Sequence, residues 1–208
     1  MQNNNASSLI LRHYSRTKPL KCVIVSGDVN NFFTAQIKEP VELDSEITKG
    51  DPVIFGIKIN DDVKITGGSI IAFSDGSKNI TISPDKMLVV AERRQYERFP
   101  VSLYGYIKRY DTNERKCCAY VKDMSYNGFR VYSEAELNPG ENIELDINFE
   151  HNVFTVSGIV MRKETCYGRN EYGIQMIFTN KNSIYTIKEN IDRLLLSEKE
   201  MIKRQLYL

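Results

Sequence analysis

The chain has 208 residues, enough for one large or two small domains, and 41% of them are hydrophobic, which suffices for a real apolar core. Its 28 Lys and Arg nearly cancel its 27 Asp and Glu, so no net positive field is available to hold nucleic acid or an anionic membrane without specificity. Any anion site has to be local.

The N-terminal stretch MQNNNASSLILRHYSRTK has no uninterrupted apolar run behind a basic start, so it is expected to be a loose Asn/Ser-rich leader of an unprocessed, cytoplasmic protein. No stretch approaches the roughly 18 apolar residues of a membrane helix, and no membrane insertion is expected. Apolar residues then recur mostly with period two, the pattern of strands with one buried face. KCVIVSG (21–27), FFTAQI (32–37), Val53 to Ile59, VKITGGSIIAF (63–73), NITIS (79–83) and MLVVAE (87–92) read as short strands separated by Gly- and Asp/Asn-rich turns. The densest charged stretch, AERRQYERFP (91–100), marks a domain boundary; Pro100 pushes Phe99 toward an extended conformation, so the segment should enter the second half as an extended arm. Cleaner alternation follows at Phe99 to Ile107, Ile143 to Phe149 and Tyr172 to Phe178. Many short strands at this spacing point to barrels or sandwiches. After residue 180 the period changes to 3.6. Ile184, Ile187, Ile191, Leu194, Leu195 and Ile202 form the stripe of an amphipathic helix over 182–206, expected to cover the open end of the preceding β domain.

The chemistry of an enzyme is not visible. Cys22, Cys117, Cys118 and Cys166 show no CxxC spacing, and His13 and His151 are the only histidines, so neither a zinc cage nor a redox dithiol is expected. Reduced structural thiols are the simpler expectation, and Cys117 and Cys118 would point to opposite faces of a strand. His13 near the terminus and His151 in a hairpin turn (FEHNV) are expected on exposed loops, and Asp61-Asp62 in a solvated turn. No nucleophile with a base and no paired acids stand out, so no catalytic residue, metal or cofactor is assigned.

Two short motifs remain. RxxxR, from Arg94 to Arg98, lies in the charged arm, and DxSxxG, with Asp123, Ser125 and Gly128, falls at a strand-turn-strand junction. Either alone is common. In this order, ahead of a strand with Gly173, Ile174 and Phe178 and a C-terminal helix, they resemble the PilZ domain family of cyclic di-GMP receptors. The resemblance covers about residues 91–205. It implies a mainly β fold with an antiparallel barrel over 100–180, an arginine arm over 91–99 and the helix on that second barrel. Residues 1–90 look like the N-terminal β-barrel domain of YcgR-like flagellar brake proteins, although no sharp motif carries that likeness. Taken together, these expectations describe two small antiparallel β-barrel domains, 1–90 and 91–208.

The residue chemistry is compatible with such a ligand. A cyclic dinucleotide offers two phosphate charges and two guanine edges, and a guanidinium forks onto phosphate or onto guanine O6 and N7. The step from Arg94 to Arg98 spans at most about 13–14 Å when extended, enough to wrap a compact ligand. A carboxylate at Asp123 can accept the N1 and N2 hydrogens of guanine, selecting it over adenine; Ser125 can bond phosphate or a base edge, and Gly128 permits close approach. Arg93 adds a third guanidinium, which in the family suits two intercalated ligand molecules per chain. The position of the arm between the two β-rich halves suggests that closing it over a ligand reorients the domains, and the balanced charge leaves no DNA partner expected. The output is an unidentified protein target, for which the resemblance to flagellar brakes suggests the flagellar motor as one candidate. Two competing classes stay open: a single-stranded RNA-binding barrel using some of the twelve tyrosines and nine phenylalanines for stacking, and an adaptor that binds no ligand.

Overall fold

In the computed structural model of the chain, period-two alternation becomes twelve strands, and the 3.6-residue stripe one helix, among the described residues. It describes residues 8–39, 47–59, 62–74, 76, 78–85, 96–149, 152–178 and 180–207. The expected strand over 87–92 therefore lies outside the described residues, as do Arg93, Arg94, Asp61 and His151. The chain divides into two compact units, Met1–Val89 with Ser197–Leu208, and Val90–Leu196.

In the first unit, β1 (Ser8–His13), β2 (Leu20–Asp28), β3 (Phe32–Ile37), β4 (Pro52–Ile59), β5 (Asp62–Ser74) and β6 (Asn79–Pro84) close into an antiparallel barrel in the order β1-β2-β3-β6-β5-β4. Closure removes the exposed edges that would otherwise pair with other chains. Alternate residues point inward: Leu9 and Leu11, Phe33 and Ala35, Phe55 and Ile57, Ile80 and Ile82 share one buried cluster. Phe33 and Phe55 meet edge to face with ring centroids 5.1 Å apart, a favoured aromatic geometry. Cys22 sits in this core, where burial first and Glu39 second push its thiol up to about 12, so it is inert packing. All four cysteines are free thiols.

Two expectations are corrected here. The leader is not loose throughout: residues 8–13 form β1, which closes the barrel by pairing with β2 on one side and β4 on the other. The alternation of Leu9 and Leu11 is too short to stand out in the sequence, but both become fully buried once the barrel closes. His13 is likewise not in an exposed loop. It ends β1 fully buried, beside an equally buried Asp51. Its Nδ1 lies 2.8 Å from Ser15 Oγ and accepts the Ser15 backbone N–H, which leaves Nε2 to donate to Asp51 Oδ2 at 3.3 Å. Asp51 also accepts the Thr48 backbone N–H at 2.6 Å and its hydroxyl at 3.0 Å. Asp51 thus ties the loop before β4 to the end of β1. Asp51→Ala withdraws an acceptor from three donors at once, and an expected loss of about 2–4 kcal/mol follows, read by urea denaturation. A loss under about 0.5 kcal/mol, the usual size at a surface site, would show that the pair holds nothing together.

In the second unit, β7 (Phe99–Arg109), β8 (Cys117–Ser125), β9 (Gly128–Ser133), β10 (Asn142–Phe149), β11 (Asn152–Cys166) and β12 (Arg169–Ile177) close in the order β10-β11-β12-β9-β8-β7. The β11–β12 hairpin turns on Tyr167 and Gly168, both with left-handed φ (54° and 79°), the two-residue connection whose twist matches that of the strands. The inward faces supply one core that includes Val121, Val131, Ile143, Leu145 and Tyr172.

The helix α1 (Lys181–Tyr207) forms as expected, but its stripe divides. Ile191, Leu194 and Leu195 join the core of the second unit. Ile202 instead packs within the first unit on Ile10 and Ile54, outward-facing residues of β1 and β4. The expectation that the whole stripe covers the second barrel is corrected accordingly. The physical reason is a notch at Gly56, paired with Ile10 across β1 and β4, where a Cβ would come within 2.3 Å of Ile202 Cγ2. Arg12 pairs with Glu198 nearby at 3.3 Å. Among the described residues no helix is long and apolar enough to cross a membrane.

Candidate functional site

The DxSxxG residues fall on the β8–β9 hairpin, where Ser125 pairs with Gly128 around Tyr126 and Asn127. Ser125 Oγ accepts the Asn127 backbone N–H at 3.3 Å and donates to the Gly128 carbonyl at 3.3 Å, a local closure that Ser favours at turns. The tip is tied down twice more. Met176 N–H of β12 donates to the Asn127 carbonyl at 2.8 Å. Tyr126 stacks edge to face on Phe99, 5.9 Å between centroids, and its hydroxyl donates to Asp192 of α1 at 2.5 Å. That hydrogen bond first, then burial, raises the Tyr126 pKa. Lys188 lies 5.5 Å over the same ring. Tyr126 therefore fixes the hairpin to the residue that immediately follows Arg98, a role that nothing in the motif announced.

Gly128 has no left-handed φ; among the described residues, Gly27, Gly50, Gly140 and Gly168 do. Its smallness serves packing. A Cβ there would lie 2.1 Å from the Ile174 carbonyl oxygen of the neighbouring strand. Close approach at Gly128 is thus required by β12 of the protein itself, whatever a ligand also demands.

Asp123 lies where both flanking pairings are irregular. The β7–β8 register shifts between Pro100 and Leu103, and the β8–β9 register shifts between Val121 and Asp123. Bulges of this kind re-aim side chains. Asp123 pairs through its backbone with Pro100 on one side and Arg130 on the other, and its side chain is only 6% exposed. Each carboxylate oxygen faces a guanidinium: Arg98 Nη1 lies 3.5 Å from Oδ1, and Arg130 Nε donates to Oδ2 at 2.6 Å. The end of RxxxR and the start of DxSxxG, 25 residues apart in sequence, thus meet on one carboxylate. Arg98 is about one third exposed and Arg130 about one quarter. Arg130 is the site residue that sequence reasoning missed. The only signal available was a basic residue two positions after the motif glycine, between the apolar Phe129 and Val131.

Among the described residues no group of three His, Cys, Asp or Glu side chains is placed to hold a metal ion. The family sequence model described as the PilZ domain matches residues 92–197, just over half of the chain and containing both motifs. The chain belongs to the PilZ domain family. No curated protein matches it in sequence. Among solved structures, it is similar to the K. pneumonia MrkH–c-di-GMP complex, with 12% identity over 95% of this chain and 90% of that one and a TM-score of 0.45. It is also similar to YcgR from Escherichia coli in complex with c-di-GMP, with 12% identity, 96% and 88% coverage and a TM-score of 0.46. The Bacillus subtilis inhibitor of motility MotI/DgrA gives 16% identity, 97% and 97% coverage and a TM-score of 0.39. The PilZ domain so delimited begins inside the arginine arm and ends within α1, and it contains the Asp123 centre whole.

Proposed function

We propose that this protein is a cyclic di-GMP receptor that binds its ligand between the arginine arm, Arg93, Arg94 and Arg98, and the β8–β9 hairpin carrying Asp123, Ser125 and Gly128. The observation that carries the proposal is the 3.5 Å approach of Arg98 Nη1 to Asp123 Oδ1. It brings a guanidinium able to bind phosphate and a carboxylate able to accept from a guanine edge to one place. Guanidiniums of the arm neutralise the two phosphates and stack on purine faces. Asp123 accepts the N1 and N2 hydrogens of guanine, and no arginine can do that. Arg93 supplies the extra cation for a second, intercalated molecule.

Ligand binding orders the arm at an entropic cost that these contacts must exceed, and the arm joins two β-barrel units, so binding is proposed to change their mutual orientation. The protein acts by binding and not by catalysis, and its output reaches an unidentified protein target in motility or another surface-associated process. Competitive titration tests the proposal. Labelled cyclic di-GMP should saturate at two molecules per chain, resist displacement by cyclic di-AMP and by linear RNA, and change the small-angle scattering profile. Displacement by RNA with an affinity that falls steeply in salt would instead establish the single-stranded RNA-binding class. Saturation at one molecule would remove the role given to Arg93.

A further inference from the structure

Asp123 can discriminate guanine only if its carboxylate is held in one plane, and a short carboxylate side chain rotates freely about its last bond unless something fixes it. On the second barrel a row of charges does so. Reading across the strands in register, Asp123 of β8 is opposite Arg130 of β9, Arg130 is opposite Gly173 of β12, and Gly173 is opposite Arg162 of β11. Arg130 uses Nε and Nη2 on Asp123 Oδ2 and turns Nη1 toward Glu171 Oε1 at 3.8 Å. Arg162 Nη2 approaches the same Glu171 oxygen from the far side at 3.7 Å. Gly173 makes the row possible: a Cβ there would come within 2.9 Å of Arg162 Cγ and Nε, so the absent side chain is what lets Arg162 lie across β12 and reach Glu171. Glu171 is 5% exposed and Asp123 4% exposed, so these contacts are screened far less than surface ion pairs.

The division of labour on the carboxylate is informative. Oδ2 is gripped by Arg130, which belongs to the rigid barrel, whereas Oδ1 faces Arg98, at the end of the arm. Arg98 is proposed to turn to the ligand; Arg130, doubly engaged and opposite Asp123 in the ladder, stays. A two-point grip on one oxygen occupies both lone pairs of Oδ2 and fixes the plane of the carboxylate, so that Oδ1, once Arg98 turns away, presents its two lone pairs to the guanine N1–H and N2–H.

We propose that Arg130 is a positioning residue that sets guanine selectivity at this site by locking the Asp123 carboxylate, with Glu171 and Arg162 holding Arg130 in turn. The proposal rests on the ligand proposed above. Its readout is a ratio that loss of fold or loss of a phosphate contact would not move: affinity for cyclic di-GMP against cyclic di-IMP, whose hypoxanthine lacks the N2 amino group. The wild-type protein should prefer cyclic di-GMP by about tenfold or more, the worth of one charge-assisted hydrogen bond. Arg130→Ala should bring that ratio close to one while changing cyclic di-IMP affinity less than about threefold, because hypoxanthine carries only a hydrogen at C2 and its single N1–H bond tolerates a rotated carboxylate that two parallel bonds do not. Arg130→Lys keeps the charge but cannot fork, so it should lie between the two; it also serves as the variant to read if Arg130→Ala melts early. In an Asp123→Ala background, Arg130→Ala should leave the ratio unaltered. An unchanged ratio in Arg130→Ala and Arg130→Lys, or an equal loss of affinity for both ligands, overturns the proposal while the receptor assignment stands. Failure of the wild-type protein to bind either cyclic dinucleotide overturns the receptor assignment, and this proposal falls with it.

Discussion

Arg98→Ala is expected to weaken cyclic di-GMP binding about 100-fold, equivalent to about 2.7 kcal/mol, with a melting temperature within about 2 °C of wild type. The size follows from losing a bidentate, charge-assisted contact to phosphate or guanine in a site of low exposure. The small effect on the fold follows from the structure. Arg98 is about one third exposed and its ion pair with Asp123 is long, at 3.5 Å, so the pair contributes little to stability. Asp123 is not orphaned by the change, because Arg130 still grips its other oxygen. Titration calorimetry and thermal melting on the same preparation separate the two quantities. A variant that melts well below wild type yet binds at full affinity would make Arg98 a structural residue and leave the arm without its observed anchor.

Gly128→Ala has the opposite signature. Adding one methyl group places a carbon 2.1 Å from the Ile174 carbonyl oxygen, a backbone atom that cannot rotate aside. The strands have to separate at a point where Gly128 is paired with Ser125 on one side and Gln175 on the other, and where Met176 N–H holds the Asn127 carbonyl. A cost of about 2–4 kcal/mol is expected from forced overpacking of this kind, with a fall in melting temperature of at least about 5 °C. No part of that cost comes from backbone strain, since Gly128 has no left-handed φ. Binding lost in Gly128→Ala is therefore first a loss of fold, and its affinity has to be compared at a temperature where both proteins are native. An alanine variant with the wild-type melting curve would show that β12 yields at Ile174.

The two motifs differ in how much of their meaning could be read before the structure. Arg98 and Asp123 were legible as a cation and a carboxylate because guanidinium and carboxylate chemistry belongs to single residues, whereas the ligand class expected of RxxxR and DxSxxG came from the resemblance to the PilZ domain family. Ser125 and Gly128 were legible as turn residues, but the turn binds them to the protein's own backbone: Ser125 closes the hairpin on Gly128, and Gly128 makes room for Ile174. Arg130 and Tyr126 were not legible. Arg130 meets Asp123, seven residues away, only through the shifted register of the β8–β9 hairpin, and takes Glu171 from a distant strand; Tyr126 takes Phe99 and Asp192 from distant stretches of chain. His13 was misjudged for the same reason, since its burial depends on Asp51, 38 residues away.

Taken by itself, the sequence determined that the protein is built mainly of strands with a C-terminal helix, and singled out Arg98 and Asp123, which the structure brings together. Periodicity and side-chain chemistry are local properties, visible within one element. Only the tertiary structure decided that residues 8–13 close the first barrel, that the helix stripe divides at Ile202, and that two bulges and a bare glycine align Asp123, Arg130, Glu171 and Arg162 across four strands. Register, closure and the space left by an absent side chain are collective properties. They come into being when strands far apart in sequence settle against one another.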